Sequence, residues 1–381
     1  MRGINFYKGE NGQEYYNPNV LLQKKDLNGN SPGIFGAFSN RAAGKTTGFL
    51  DIFCCDYISD GAYFRELFPE CNAKEKPSKV LFLYKQVGEI SSAHRIFDDV
   101  NSMYHHFEKM TIKNVLKDTI WEIFGDGESI GYSIPISKPT QIKPYRPLFK
   151  DVRWIYLDEV QPEKSKGRAY SKTEIQDLMS IIITVSGGGG SQSRKDVKLI
   201  LNGNNVNMVN PYFQMWNVAK RLKPDTKFLR GDNFVLEFNQ NESAKKAVSE
   251  NAIVRALSPG TNYAESMTDI QSFLYNDKKM ILEKIPAKST YLITIIYDGV
   301  SYGIRECYND GFLHVSKKIQ PNYTYVCSAS SDDHDSMLNL VYSNKFATKF
   351  MNDYYNNGRV RFEDMDCKLM FLDVLGVERY G

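Results

Sequence analysis

Paired cysteines are missing. Cys54, Cys55, Cys71, Cys307, Cys327 and Cys367 are scattered along 381 residues without one Cys-x-x-Cys spacing. Zinc sites therefore have no support in the spacing, and reduced, mostly buried thiols are the reading. The five histidines are dispersed too, and the adjacent His105 and His106 read as surface residues. Long apolar runs are also missing. The longest mainly apolar stretch, Leu178–Val185, falls well short of the roughly 20 residues a membrane span needs. The opening segment MRGINFYKGENGQEYYN has no apolar core and does not read as a secretory signal, so no membrane and a cytoplasmic site are expected. Neither sign of charge dominates: 48 basic residues face 45 acidic ones, a net charge of +3. That balance neither diagnoses nor excludes nucleic-acid binding. There is no internal repeat and no charge block. The one low-complexity stretch, Ser186–Ser193 (SGGGGSQS), is expected to be mobile.

What is present is alternation. Gly33–Phe38 reads as a buried strand, Lys45–Ile58 as an amphipathic helix and Lys79–Tyr84 as a second apolar strand. Helix signals cover Ser91–Lys109, and Trp121–Ile136 reads as a hairpin turning at Asp126-Gly127. Val152–Leu157 and Val197–Leu201 are further strands, with a helix over Thr173–Val185 between them. This pattern predicts an α/β fold with a mostly parallel sheet covered on both faces. From Asp232 to about Lys278 the chain is polar and helix-prone, broken at Ser258-Pro259-Gly260, and reads as a linker or small subdomain. Tyr291–Tyr297, Val300–Glu306 and Phe312–Ser316 then form a predicted meander, followed by a helix over Ser336–Tyr355. The expected domains are 1–230, 231–278 and 279–381.

The strongest chemical signal is Ser39-Asn40-Arg41-Ala42-Ala43-Gly44-Lys45-Thr46, followed by Thr47. It matches the phosphate-binding P-loop except that Ser39 replaces the first glycine. Gly44 allows close backbone approach, the helix start favours an anion, Lys45 brings a cation to the β/γ-phosphates, and the Thr46 hydroxyl is a ligand for Mg²⁺. A bare Gly-Lys-Thr in a turn would carry little. Its position between an apolar strand and a helix is the context the motif requires. The nucleotide-binding set is thus Asn40, Arg41, Ala42, Ala43, Gly44, Lys45, Thr46 and Thr47.

About one hundred residues on, the strand Ile155-Tyr156-Leu157 ends in Asp158-Glu159. An aspartate at such a strand tip suits the Mg²⁺ shell, and the adjacent glutamate can activate the attacking water. The pair favours hydrolysis coupled to work over GTPase or small-molecule kinase chemistry; the bland alternative is a solvated strand end. Asn202, after the strand Val197–Leu201, is placed to contact the γ-phosphate or its water, or else simply forms a turn in Asn202-Gly203-Asn204-Asn205. Arg194, at the end of the glycine-rich loop, suits an arginine finger, with a solvated basic loop as the alternative.

These segments resemble the DNA-packaging ATPases of phi29-like short-tailed phages, the small-podovirus terminase type. The likeness takes in Asn17-Pro18, Gly131–Ser137 (GYSIPIS), Ile155–Glu159, Asn207–Phe213 (NMVNPYF), Tyr297–Gly303 (YDGVSYG) and Asn357–Phe362 (NGRVRF), in the same order over most of the chain. The P-loop is generic; the Val-Asn-Pro-Tyr-Phe run is more specific. The resemblance implies an ASCE-type P-loop ATPase domain, a linker and a C-terminal RNase H-like domain that serves docking. It also implies ATP and Mg²⁺ as cofactors, and a homo-oligomeric ring, five-fold in this family, on the portal of an empty capsid in the host cytoplasm. Double-stranded DNA is the implied load, and a packaging RNA is left open. By position, Lys45 and Thr46 take phosphate and metal, Asp158 holds Mg²⁺, Glu159 is the catalytic glutamate, Arg41 senses or clamps phosphate, and Arg194 is a finger acting on a neighbouring subunit. The departures are Ser39 and a longer glycine stretch before Arg194.

Nuclease chemistry in the C-terminal domain would need a carboxylate cluster. Asp298 is suitably placed on its first strand. Asp332, Asp333, Asp335, Glu363, Asp364 and Asp366 are the remaining candidates, and nuclease activity is not expected. Sequence-indifferent DNA contacts should be basic: Lys143 and Arg146 precede the Asp158-Glu159 strand, Lys164, Lys166 and Arg168 follow it and Lys85 ends the second strand, with an ordinary solvated charge as the alternative for each. The rival readings are another P-loop translocase, helicase or kinase, a terminase-like protein with an active nuclease, and a scaffold with a degenerate nucleotide site.

Overall fold

The computed structural model describes residues 16–39, 43–85, 93–160, 173–187, 194–204, 211–216, 218–222, 226–239, 280–322, 324–329, 339–340 and 345–375. They fall into two compact units, one up to Asn239 and one from Met280.

In the first unit a short helix α1 (Pro18–Leu22), capped by the Asn17 side chain, precedes strand β1 (Ile34–Ser39). Helices α2 (Lys45–Ile58) and α3 (Ala62–Leu67) follow, then β2 (Lys79–Tyr84) and α4 (Ala93–Tyr104). An antiparallel run comes next: β3 (Met110–Leu116), β4 (Ile120–Gly125) and β5 (Glu128–Pro135). Helix α5 (Pro139–Ile142) and a 3₁₀ segment, Lys143–Asp151, lead into β6 (Val152–Leu157). After α6 (Glu174–Ser186), β7 (Lys198–Asn204), α7 (Pro211–Met215) and α8 (Val218–Arg221), the unit ends with β8 (Phe228–Gly231) and β9 (Phe234–Asn239).

Among the described residues the strands form one nine-stranded sheet in the order β3-β4-β5-β2-β6-β7-β1-β9-β8. The run from β5 to β9 is parallel, and the antiparallel pairs lie at the two edges. Strand β7 separates β1 from β6, the ASCE arrangement. The central strands read as near-continuous apolar runs because both faces are covered: every residue of β6 is buried. On the α2 side, Phe49 and Phe53 meet Tyr156 and Trp154 at centroid distances of 5.7 and 5.5 Å. Edge or tilted contacts of this kind add about 0.5–1.5 kcal/mol each beyond simple burial. The Trp154 indole N–H donates to the buried Asp56 carboxylate at 2.8 Å, so α2 is fixed to β6 by a polar bond as well as by rings.

In the second unit, β10 (Thr290–Tyr297), β11 (Val300–Cys307) and β12 (Phe312–Ser316) make the expected antiparallel meander. Strands β13 (Val326–Ser328) and β14 (Asn339–Leu340) extend it in parallel beyond β10, and β15 (Val360–Phe362) joins β12. Helices α9 (Lys345–Asn356) and α10 (Met365–Leu375) complete it. The order β14-β13-β10-β11-β12, with β10, β11 and β12 joined by hairpins and β13 and β14 added in parallel beyond β10, is RNase H-like.

Three expectations change. The stretch from Asp232, read as linker, contributes β9, which lies beside the P-loop strand. The helix expected from Ser336 starts at Lys345, and Asn339–Leu340 is an edge strand instead. The helix expected through Lys109 ends at Tyr104, and β3 begins at Met110. The Ser258-Pro259-Gly260 break and most of the glycine stretch lie outside the described residues.

Gly131 in β5 lies against β2, where an added Cβ would collide with the Val80 carbonyl oxygen. Gly131→Ala should lower the urea midpoint by the equivalent of about 1–3 kcal/mol, as overpacking against backbone does. A midpoint equal to that of the parent would show that β5 can shift away from β2.

Candidate nucleotide site

The site gathers at the carboxyl ends of β1, β7 and β6, the crevice where open α/β sheets receive ligands. Gly44 caps α2 with a left-handed backbone, φ 80°, a conformation that costs any other residue free energy. The first turn of α2 carries no acidic side chain, so nothing there opposes an anion at the helix start. Lys45 is 6% exposed. Its ammonium donates to Ser39 Oγ at 2.9 Å, to Asn204 Oδ1 at 3.3 Å and to the Ser39 carbonyl at 3.5 Å. The serine that replaces a glycine of the pattern is thus a partner of the lysine. Ala43 is buried, with its carbonyl accepting from the Tyr16 N–H at 2.7 Å, and Thr47 is half-buried in the first turn. Asn40, Arg41 and Ala42 lie outside the described residues.

Thr46, Asp158 and Asn202 meet. The Thr46 hydroxyl donates to Asp158 Oδ2 at 3.2 Å. Asn202 Nδ2 is within bonding distance of Asp158 Oδ1 at 2.6 Å, the Tyr156 hydroxyl at 2.8 Å and Thr46 Oγ1 at 3.1 Å. Two oxygens on adjacent corners of a Mg²⁺ octahedron of about 2.1 Å radius stand roughly 3.0 Å apart, so the Thr46–Asp158 pair fits that ion. Burial raises the Asp158 carboxyl above its ordinary range, against the opposing pull of the Glu159 N–H, Asn202 and Thr46. Glu159 is exposed and holds a left-handed backbone, φ 47°. That turn aims its N–H at Asp158 Oδ1, 2.9 Å away. Such a backbone costs a glutamate about 1–3 kcal/mol.

Sequence reasoning missed Asn204 and the Tyr156 hydroxyl. Both were legible only as a turn residue and a core residue, and the pairing of β7 with β6 and β1 is what brings them in. Arg194 does not reach this site. Its guanidinium donates to the carbonyls of Phe149 and Val152 at 3.1 and 2.7 Å and pairs with Asp196 at 2.9 Å. Val152 opens β6 and Asp158 follows its end, a separation of roughly 20 Å at strand rise. Lys85, expected as a DNA grip, is instead enclosed: it pairs with Glu174 at 2.8 Å and donates to the Val160 carbonyl at 2.9 Å. Glu174, the first residue of α6, brings a buried acid to the end of β2. Lys143 and Arg146 are exposed, with Arg146 donating to the Gly187 carbonyl at 2.6 Å. Lys164, Lys166 and Arg168 lie outside the described residues.

The profile of the Podovirus DNA encapsidation protein (Gp16) family matches residues 13–377. The chain belongs to this family. Membership makes it a phage DNA-packaging protein of the phi29 type. The DNA packaging protein of Bacillus phage phi29 is 24% identical over 307 residues, covering 80% of this chain and 86% of that protein. The DNA packaging protein of Bacillus phage PZA matches to the same extent. Among solved structures, the phi29 viral genome packaging motor assembly aligns with 95% of this chain and 99% of its own at a TM-score of 0.58 and 20% identity. The fold is therefore shared with a chain of that assembly.

Because burial raises the Asp158 carboxyl, its ionised form opposes folding, and that opposition is relieved as pH falls through the raised value. Near neutral pH, Asp158→Asn should melt above the parent, at about 2–4 °C per kcal/mol recovered. The gap should close as pH drops into the carboxylate range. A variant melting below the parent at neutral pH would contradict this.

Proposed function

We propose that the chain is the ATP-hydrolysing subunit of a ring motor that drives double-stranded DNA into a procapsid. One observation carries this reading: Thr46 from the P-loop helix and Asp158 from the β6 tip lie 3.2 Å apart, with Glu159 next in the chain. In this scheme the α2 N-terminus and Lys45 hold the phosphates, Lys45 giving up its contacts to Ser39 and Asn204 as it does so. Thr46 and Asp158 would hold Mg²⁺, whose charge would offset that on the transferred phosphoryl group. Asn202 and the Glu159 N–H fix the Asp158 carboxylate. Glu159 takes the proton of the attacking water. Asn40, Arg41, Ala42, Ala43 and Thr47 complete the loop.

Coupling to DNA runs through the packaging ring, proposed as a pentamer seated on the portal in the host cytoplasm, with an RNA adaptor as a further partner. Lys143, Arg146, Lys164, Lys166 and Arg168 are the proposed phosphate contacts. Lys85 is dropped, since its charge is engaged by Glu174. For the C-terminal unit we propose docking without cleavage. Asp298 is exposed in a hairpin turn, and Asp364 and Asp366 both pair with Lys317.

Phosphate release measured with and without double-stranded DNA tests the reading. The parent should be stimulated by DNA, with a response that weakens as salt rises, and should leave plasmid intact in Mn²⁺. Glu159→Gln should retain ATP binding and lose about 10²–10⁴-fold in turnover. Full turnover in that variant would remove the glutamate from the mechanism, and hydrolysis indifferent to DNA would favour a different P-loop enzyme.

Arg194 is proposed to act across a subunit boundary, exchanging its contacts to Phe149, Val152 and Asp196 for a neighbour's γ-phosphate. Arg194→Ala and Lys45→Ala chains, each inactive alone, should recover part of the activity when mixed. No recovery, together with a lowered melting temperature of Arg194→Ala, would leave the arginine as a brace between β6 and β7.

A further inference from the structure

We propose a second metal centre, suited to Zn²⁺ and separate from the nucleotide site, formed by Asp51, Cys55 and His106. Asp51 and Cys55 are one turn apart on α2, so they share a face. His106 comes from the short segment between α4 and β3. One ligand atom from each lies within 4.8 Å of the other two. His106 Nε2 is 2.6 Å from Asp51 Oδ1, and Cys55 Sγ is 3.9 Å from the same oxygen.

The independent observation is an orphaned atom. Asp51 is 1% exposed, and its second carboxylate oxygen, Oδ2, is buried without a hydrogen-bond partner. Leaving a buried carboxylate oxygen unpaired is costly, and a hydrogen bond from His106 to the other oxygen does not remove that cost. The Tyr63 hydroxyl is a second buried oxygen without a partner, in the electrostatic field of Cys55 and Asp51. A cation held between the carboxylate, the imidazole and the thiolate would satisfy Asp51.

The donor set selects the ion. Mixed sulfur, nitrogen and oxygen donors suit Zn²⁺, whereas Mg²⁺ takes oxygen. Tetrahedral Zn²⁺ with bonds of about 2.0–2.3 Å places neighbouring donors roughly 3.3–3.8 Å apart. The two separations to Asp51 Oδ1, 2.6 and 3.9 Å, bracket that range, and all three donors lie within 4.8 Å of one another. Binding breaks the Asp51–His106 hydrogen bond, moves the proton of the neutral imidazole from Nε2 to Nδ1 and releases the Cys55 thiol proton to solvent. Half-burial of Cys55 and the 11% exposure of His106 leave the fourth position to water. The centre would fasten α2, whose first turn carries Lys45 and Thr46, to the segment entering β3.

The test uses the untagged, metal-stripped full chain titrated with Co²⁺ in excess Mg²⁺, which keeps the oxygen-lined nucleotide site occupied. One tightly bound Co²⁺ per chain should appear with a thiolate-to-cobalt charge-transfer band, displaced by Zn²⁺ and accompanied by release of one proton. Cys55→Ser should abolish the band and weaken Zn²⁺ binding by more than about tenfold, since outer-shell partners alone are worth 10–100-fold. Cys71→Ser, altering another half-buried thiol, should leave both unchanged. Should Cys55→Ser fail to fold, Zn²⁺ protection of Cys55 from alkylation, mapped by peptide in the parent chain, gives the same reading. Absence of the thiolate band in the parent, its persistence in Cys55→Ser, or undiminished alkylation of Cys55 would overturn the proposal.

Discussion

The carboxamide of Asn202 ties the site together. Placed at the end of β7, it meets Asp158 from β6, Thr46 from α2 and the Tyr156 hydroxyl beneath them. An amide nitrogen has two protons, so these acceptors share donors, and the cluster is tight because it is buried. This contact is possible only because β7 runs between β1 and β6. With β1 directly beside β6, the asparagine would have no position between helix and acid. Strand order therefore decides the chemistry more than any one residue does.

The surrounding core keeps that arrangement rigid. Aromatic side chains of α2 pack on the same β6 strand that ends in the acids, and Asp56 bonds to Trp154 under them. Displacing α2 would thus disturb Thr46 and the ring packing together. Rigidity here is consistent with the strained backbone at Glu159, because a left-handed glutamate persists only where its neighbours hold it.

Much of this was legible in the sequence. Buried parallel strands are continuous apolar runs, so β1, β2, β6 and β7 announced themselves, as did the meander with Asp298-Gly299 and Asn309-Asp310-Gly311 at its turns. The P-loop and Asp158-Glu159 were readable because their chemistry requires a local order of residues. What stayed hidden was non-local. Strand β3 alternates partly exposed residues at a sheet edge and looks like loop or helix tail. Strand β9 (FVLEFN) is an apolar run interrupted by Glu237, a carboxylate that is buried yet bonded to the Tyr16 hydroxyl at 2.7 Å, and the polar residues that follow it make the stretch read as linker. Lys85 looked like a surface cation because nothing near it in sequence foretells Glu174. His106 looked exposed for the same reason, its partner Asp51 lying on the P-loop helix.

Strand β9 has a mechanical consequence. It pairs in parallel with β1 along its whole length, Asn239 standing opposite Ser39 at the mouth of the phosphate loop. Tension on the chain beyond Asn239 would load that ladder lengthwise, so its hydrogen bonds share the strain instead of parting one at a time. The strand that receives such a pull is the immediate neighbour of the one that ends in Ser39, where the Lys45 ammonium rests.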